Sequence, residues 1–349
     1  MIFLSACTIV KNEEKHLPRW LACVSALADE IIVVDTGSED RSIEIAKAGG
    51  AVVYSLPWQD DFSMAKNFAI EKARGKWILF LDADEYFSPA SMAKVREMIE
   101  ETDRDIRTAG ILCRWVNFDE DADMKLQGAA VQLRIFRNLR VLRYKGRIHE
   151  ALDVPKRYKV LVTKDIEIHH TGYSKTLAPN KLRRNRRLLE MDINEAGGKA
   201  SLCQKKYLLD CAYGLDELEK TCQLAKEILS NGDAARKELS SDNLSMVYSS
   251  YISSLIRLEQ PSAEIEPLVN EARNTLPGTA EFDWLFGLYL YKLGDKRALD
   301  FLRAGLRIYE ISANGGAEKD FMSLSNNAAY LLPGVRRALG IDFQESASL

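Results

Sequence analysis

The sequence predicts an α/β domain built on a mostly parallel, Rossmann-like sheet, followed by an all-α helical-repeat domain. Three observations lead there. The first hundred residues alternate short apolar runs with amphipathic stretches, the βαβαβαβ order of a parallel sheet with right-handed crossovers. Two of the apolar runs end in acids, Asp35 and Asp82, as strands do where an open sheet meets a ligand. After about residue 178 the strand signals stop and helical periodicity takes over. The expected domains are 1–178 and 179–349.

Each element follows in order. Residues 3–10 read as strand one. Residues 13–26 carry Leu17, Trp20, Leu21 and Val24 at helical spacing. Residues 30–35 are a buried strand, and 36–40 are a turn into a helix reaching residue 48, with Ser38 or Asp40 as its N-cap. Residues 51–54 form a short strand, 61–72 a helix with an acid at its start, and 77–81 a buried strand. Residues 110–116 and 130–136 are strands around the polar turn 117–123, and 165–170 is a last strand, ending at Thr171, Gly172 and Tyr173.

The helical half begins with a basic helix over 181–195, carrying Lys181, Arg183, Arg184, Arg186 and Arg187. Helix pairs follow at 201–215 with 218–229, 241–258 with 265–276, and 280–292 with 296–309. In the last pair Trp284, Gly287, Tyr291, Gly294 and Ala298 have the spacing of a tetratricopeptide repeat. The earlier pairs match that pattern poorly and read as degenerate repeats. The tail 344–349 reads as frayed. An apolar helix face at the end of the repeats leaves a homodimer open.

Composition narrows the class. With 349 residues, 46% hydrophobic and 28% charged, the chain is globular and long enough for two or three domains. A net charge of -3 gives no footprint for nucleic acid. No apolar stretch approaches the ~20 residues of a membrane span. The N-terminus lacks a basic start and reads as a strand rather than a signal peptide. Six scattered cysteines without a C-x-x-C pair suit buried thiols and a cytoplasmic location.

The chemistry concentrates at the carboxyl ends of the predicted strands. Asp82 and Asp84 follow the strand 77–81, and alternation points both the same way. Two such carboxylates repel unless a cation sits between them, so they suit Mg2+ or Mn2+ bridging nucleotide phosphates. Backbone groups near Val10 could pair with a base edge, and Asp35 could accept bonds from a base or ribose. Lys66 and Asn67 lie beside one face of their helix.

At these residues the chain resembles the family 2 glycosyltransferases of the GT-A fold. The resembling segments are Thr-Ile-Val-Lys-Asn-Glu-Glu (8–14), Asp-Glu-Ile-Ile-Val-Val-Asp-Thr-Gly-Ser-Glu-Asp-Arg-Ser (29–42), Gly-Lys-Trp-Ile-Leu-Phe-Leu-Asp-Ala-Asp-Glu (75–85), Arg-Ile-His-Glu (147–150) and His-Thr-Gly-Tyr (170–173). They cover roughly residues 1–175. The most similar branch joins this catalytic domain to tetratricopeptide-like helices and includes bacterial peptide glycosyltransferases that modify bacteriocins. A related branch adds sugars to lipopolysaccharide core.

The resemblance implies a nucleotide-diphosphate sugar donor, usually a UDP-sugar, and a divalent metal, Mn2+ or Mg2+. It places Val10, Asn12 and Glu14 on the nucleotide side, Asp35 against base or ribose, and Lys66 near the donor. Asp84 would contact the metal, Asp82 ribose or metal, and His170, rather than His169, the metal or diphosphate. Inverting transfer needs a base. Glu150 takes that place, with His149 as runner-up and the Glu120–Asp121 pair as an alternative that reads as solvated. Arg134 and Lys145 could face the sugar phosphate. The preferred acceptor is a protein or peptide lying along the repeats. Competing readings are a transferase for lipopolysaccharide core or other cell-envelope glycan and, from another class, a non-catalytic repeat scaffold. The retained Asp35, Asp82 and Asp84 speak against the scaffold.

Overall fold

The computed structural model describes residues 2–171, 178–314, 328 and 330–341. Gly172, Tyr173 and the tail 344–349 lie outside them. The chain divides into two compact units, Met1–Ala178 and Pro179–Leu349.

The first unit runs β1 (Leu4–Val10), α1 (Leu17–Ser25), β2 (Glu30–Asp35), α2 (Ser42–Ala48), β3 (Val52–Ser55), α3 (Phe62–Lys72), β4 (Trp77–Phe80), β5 (Glu85–Phe87) and α4 (Pro89–Thr102). Then come β6 (Thr108–Asp119), β7 (Lys125–Arg137), β8 (Tyr144–Lys145), β9 (Ala151–Leu152) and β10 (Lys159–His170). Among the described residues the main sheet has the order β3-β2-β1-β4-β7-β6-β10-β5. β3, β2, β1 and β4 pair in parallel, as do β6 and β10; β7 and β5 run against their neighbours. This bears out the mostly parallel α/β class.

Alternation along the strands sorts side chains to two buried faces. Leu4, Ala6, Trp77, Leu79 and Leu81 pack on one side with Trp20 of α1 and Val95 of α4. Cys7, Ile78 and Phe80 pack on the other with Ala69 and Ile70 of α3. A run apolar at every position, such as 77–81, therefore marks a strand covered on both faces.

Some elements depart from expectation. The N-cap of α2 is Arg41, which makes no side-chain cap bond. Asp40, one residue earlier, accepts instead from the backbone of Ser42 and Glu14. Helix α4 was not anticipated, although Ser88 caps its first turn and Pro89 opens it, a standard start signal. Strand β10 begins at Lys159, six residues before the expected start.

The second unit is helical: α5 (Ala178–Glu195), α6 (Leu202–Gly214), α7 (Leu218–Leu229), α8 (Asp233–Glu238), α9 (Ser241–Arg257), α10 (Ser262–Thr275), α11 (Ala280–Lys292), α12 (Ala298–Asn314) and α13 (Leu332–Leu339). The short α8 and α13 were not expected. Leu209, Ile228, Val247, Ile252, Val269 and Phe286 share one buried core across the hairpins. Small residues close the last pair: a Cβ on Gly305 would lie 2.5 Å from the Trp284 ring, and one on Gly287 2.8 Å from Leu302. No helix among the described residues is long and apolar enough to cross a membrane.

Candidate active site

Topology gathers the site. β4 lies in the middle of the sheet, yet the next strand, β5, pairs with β10 at the edge. The acidic segment between them therefore crosses toward the end of β10, where His170 sits opposite Glu85 in register. The chain leaves the strand at Phe80, and residues 82–85 form a turn closed by Glu85 N donating to Asp82 O at 2.9 Å. Strand alternation no longer applies there. Asp82 and Asp84 consequently meet different partners, contrary to the expectation of a shared direction.

Asp82 is gripped by two cations. Its Oδ1 lies 2.9 Å from Lys66 Nζ and its Oδ2 2.8 Å from an Arg134 guanidinium nitrogen. Burial would raise the Asp82 carboxyl, but Lys66 and Arg134 hold it well below the usual carboxylate range. Arg134 also binds Glu85, which is only 1% exposed. Burial pushes Glu85 up, opposed by Arg134.

Lys66 is the hub. Asp61 caps α3 by accepting from Met64 N, which fixes the helix start. One turn on, the Lys66 side chain is 3% exposed and lies over the Phe80 and Tyr144 rings. Its Nζ reaches Glu150 Oε1 at 2.7 Å as well as Asp82. Burial would lower the ammonium, but the two carboxylates outweigh it and keep Lys66 charged. Glu150 ends a tight loop with Gly146 and His149 at positive φ, directly before β9. Asn67 steadies that loop by exchanging two bonds with the Tyr144 backbone. Phe62 N adds a third by donating to Arg147 O. His149 is exposed, whereas Glu150 is half-buried against Lys66.

Asp84 faces His170. Their Oδ2 and Nε2 are 3.3 Å apart, and His170 Nδ1 is 3.0 Å from Asn117 Oδ1. Burial would lower the His170 imidazole, but Asp84 raises it. His169 turns away, to Glu167 Oε1 at 2.7 Å and edge-on to Tyr86 and Phe118. Among the described residues no three His, Cys, Asp or Glu side chains converge as a metal cage. The carboxylate–imidazole pair instead fits a cation that completes its shell with phosphate and water. Asp82 is committed to Lys66 and Arg134.

Residues 5–158 match the family model described as glycosyl transferase family 2. The first unit is a family 2 glycosyltransferase domain. A TPR repeat-containing protein of Synechococcus elongatus is 32% identical over 215 residues, 59% of this chain and 51% of that protein. The SPbeta prophage-derived glycosyltransferase SunS of Bacillus subtilis is 30% identical over 190 residues, 52% of this chain and 43% of SunS. The chain thus spans about half the length of these curated relatives. Among solved structures, S. aureus TarS 1-349 covers 90% of this chain and 93% of its own at 14% identity and a TM-score of 0.39.

The residues expected on the nucleotide side hold two loops together. Val10 O accepts from both Thr36 N and Thr36 Oγ1, so this carbonyl is engaged within the fold rather than open to a base edge. Asn12, at φ 58°, receives Glu39 N on its Oδ1 and donates its own N–H to Ser38 Oγ. Glu14 accepts from Arg41 N. Asp35 is buried and accepts from Gly37 N and Ser38 N. These contacts join the loop after β1 to the loop after β2 at the carboxyl edge of the sheet.

Of the Glu120–Asp121 pair, expected to be solvated, Asp121 is exposed, whereas Glu120 is half-buried and paired with Lys15 at 2.9 Å and Arg19 at 3.0 Å. Lys145 is exposed and bound to Asp153. Sequence reasoning missed Trp115, Asn117 and Tyr144 in the glycosyltransferase domain. Trp115 and Asn117 reach the site through strand pairing, and Tyr144 through the two-stranded pairing of β8 with β9. Only the His170-to-Asn117 register could have pointed to Asn117.

Proposed function

We propose that the chain transfers a sugar from a UDP-sugar to a protein or peptide, with inversion and with help from Mn2+ or Mg2+. The observation that carries this reading is the placement of Asp84–His170 and Lys66–Glu150 around one acidic turn in a family 2 domain. Asp84 and His170 would hold the metal. When bound, it would offset negative charge on the leaving diphosphate. Asp35, Asn12 and Glu14 keep the two loops at the nucleotide end in register. Glu150 accepts the proton of the acceptor nucleophile as that atom bonds to the anomeric carbon. The anomeric carbon–oxygen bond to diphosphate breaks, and UDP leaves with the electron pair. Lys66 orients Glu150 and Asp82 and keeps positive charge beside them.

The repeat-like second unit supports the peptide acceptor, because stacked helical hairpins hold extended chains. The deciding experiment is calorimetry with UDP-sugars, with Mn2+ and with chelator, on the native protein and on Asp84→Ala. Metal-dependent binding that the variant loses supports the donor half. Absence of binding to any nucleotide sugar under both conditions overturns it.

A further inference from the structure

We propose that Asn117, Trp115 and Glu85 are positioning residues that fix the His170 ring against Asp84. The proposal rests on the metal reading above and extends it to residues that touch neither metal nor donor.

Asn117 lies near the carboxyl end of β6 and is the register partner of His170. Its Oδ1 lies 3.0 Å from His170 Nδ1 and can accept a proton carried there, which leaves Nε2, 3.3 Å from Asp84 Oδ2, for a cation held by the two side chains together. Trp115 fixes the ring plane: it stacks on His170 with centroids 4.6 Å apart and planes 29° from parallel. The indole is itself pinned, because Trp115 Nε1 donates to Glu85 Oε1 at 2.7 Å. The other Glu85 oxygen accepts from Asp82 N at 3.0 Å. Glu85 therefore ties the indole to the acidic turn that carries Asp84. A phenylalanine would fill the same space without needing a buried carboxylate. The N–H of tryptophan, aimed at Glu85, gives the stack one orientation.

The test is Mn2+ binding by the full chain in the presence of UDP, read from the electron paramagnetic resonance of free Mn2+. Asn117→Leu and Trp115→Leu should each weaken Mn2+ binding about 10- to 100-fold, the range for lost outer-shell partners. Metal-free UDP affinity should stay unchanged in both. Trp115→Phe, which keeps the stack but loses the N–H, should lose less than Trp115→Leu. Bound Mn2+ should also quench a tryptophan fluorescence component that is missing from Trp115→Phe. If the native chain binds Mn2+ with UDP but both leucine variants stay within twofold of it, the positioning roles are refuted and the metal reading survives. Equal losses of Mn2+ and metal-free UDP affinity also refute them, since general disruption explains both. If the native chain binds no Mn2+ with UDP, the metal reading falls and takes this inference with it.

Discussion

Lys66→Met tests the site most directly, because it removes one charge and keeps a stem of similar length. Lys66 Nζ lies 2.9 Å from Asp82 and 2.7 Å from Glu150, with the side chain 3% exposed. Removing one partner of such a buried pair costs about 3–5 kcal/mol, mostly from the charge left behind. Asp82 keeps Arg134 at 2.8 Å, so the loss should sit near the low end, about 3 kcal/mol. Urea unfolding followed by tryptophan fluorescence reads it as a shift in midpoint at unchanged slope. The pH dependence has a definite sign. Asp82 is held below its ordinary 3.8 in the fold, so its contribution is present above that pH and fades as pH falls through the depressed value. The gap between native and variant should therefore be full at pH 7 and narrow below pH 3.8. A loss under about 1 kcal/mol at pH 7, or a gap indifferent to pH, would show that Lys66 is not the hub of this network.

Glu150→Gln keeps an oxygen for Lys66, so stability should change by about 1 kcal/mol or less while turnover falls about 10²-fold or more; near-native turnover would remove Glu150 as the base. Asp283 in α11 is 0% exposed and, among the described residues, its oxygens make no hydrogen bond; the Arg273 guanidinium lies 3.4 Å from Oδ1. Burial pushes it up to about 6, with Arg273 opposing. The gap above 3.8 makes its ionisation a penalty of about 3 kcal/mol, present above pH 6 and relieved as pH falls toward 4. Asp283→Asn should thus stabilise the chain at pH 8 and not at pH 4, as measured by paired denaturation curves. Gly305→Ala forces a Cβ to within 2.5 Å of Trp284 and should destabilise by about 1–3 kcal/mol in thermal unfolding, with little effect on UDP binding.

Much of the fold was legible because burial on two faces leaves local marks. The unbroken apolar run 77–81 reads as a covered strand, and its residues do divide between two cores. The helix start at Asp61 was legible from an acid preceding an amphipathic run. Helix α4 had equally plain signals in Ser88 and Pro89 and was overlooked. Strand β5 had no usable signal, since three residues show no periodicity, and the move to the far edge depends on pairing with a strand some eighty residues later. Lys66 looked like a residue beside its helix face. It is buried because carboxylates from two distant segments arrive to pair with it. Glu120 looked solvated for the converse reason: the cations that hold it, Lys15 just before α1 and Arg19 on it, lie about a hundred residues earlier in the chain.

By itself the sequence determined the α/β class, the helical second half and the acidic end of β4, because strand and helix periods and strand-end acids are properties of neighbouring residues. Only the tertiary structure decided which acid meets which partner: Asp82 with Lys66 and Arg134, Asp84 with His170, and Glu85 with Trp115. Those pairings join residues from separate elements, through a turn that breaks strand alternation and a sheet order that departs from chain order beyond β1. Side-chain charge and hydrogen bonding can specify such contacts only after the backbone has brought the groups within reach.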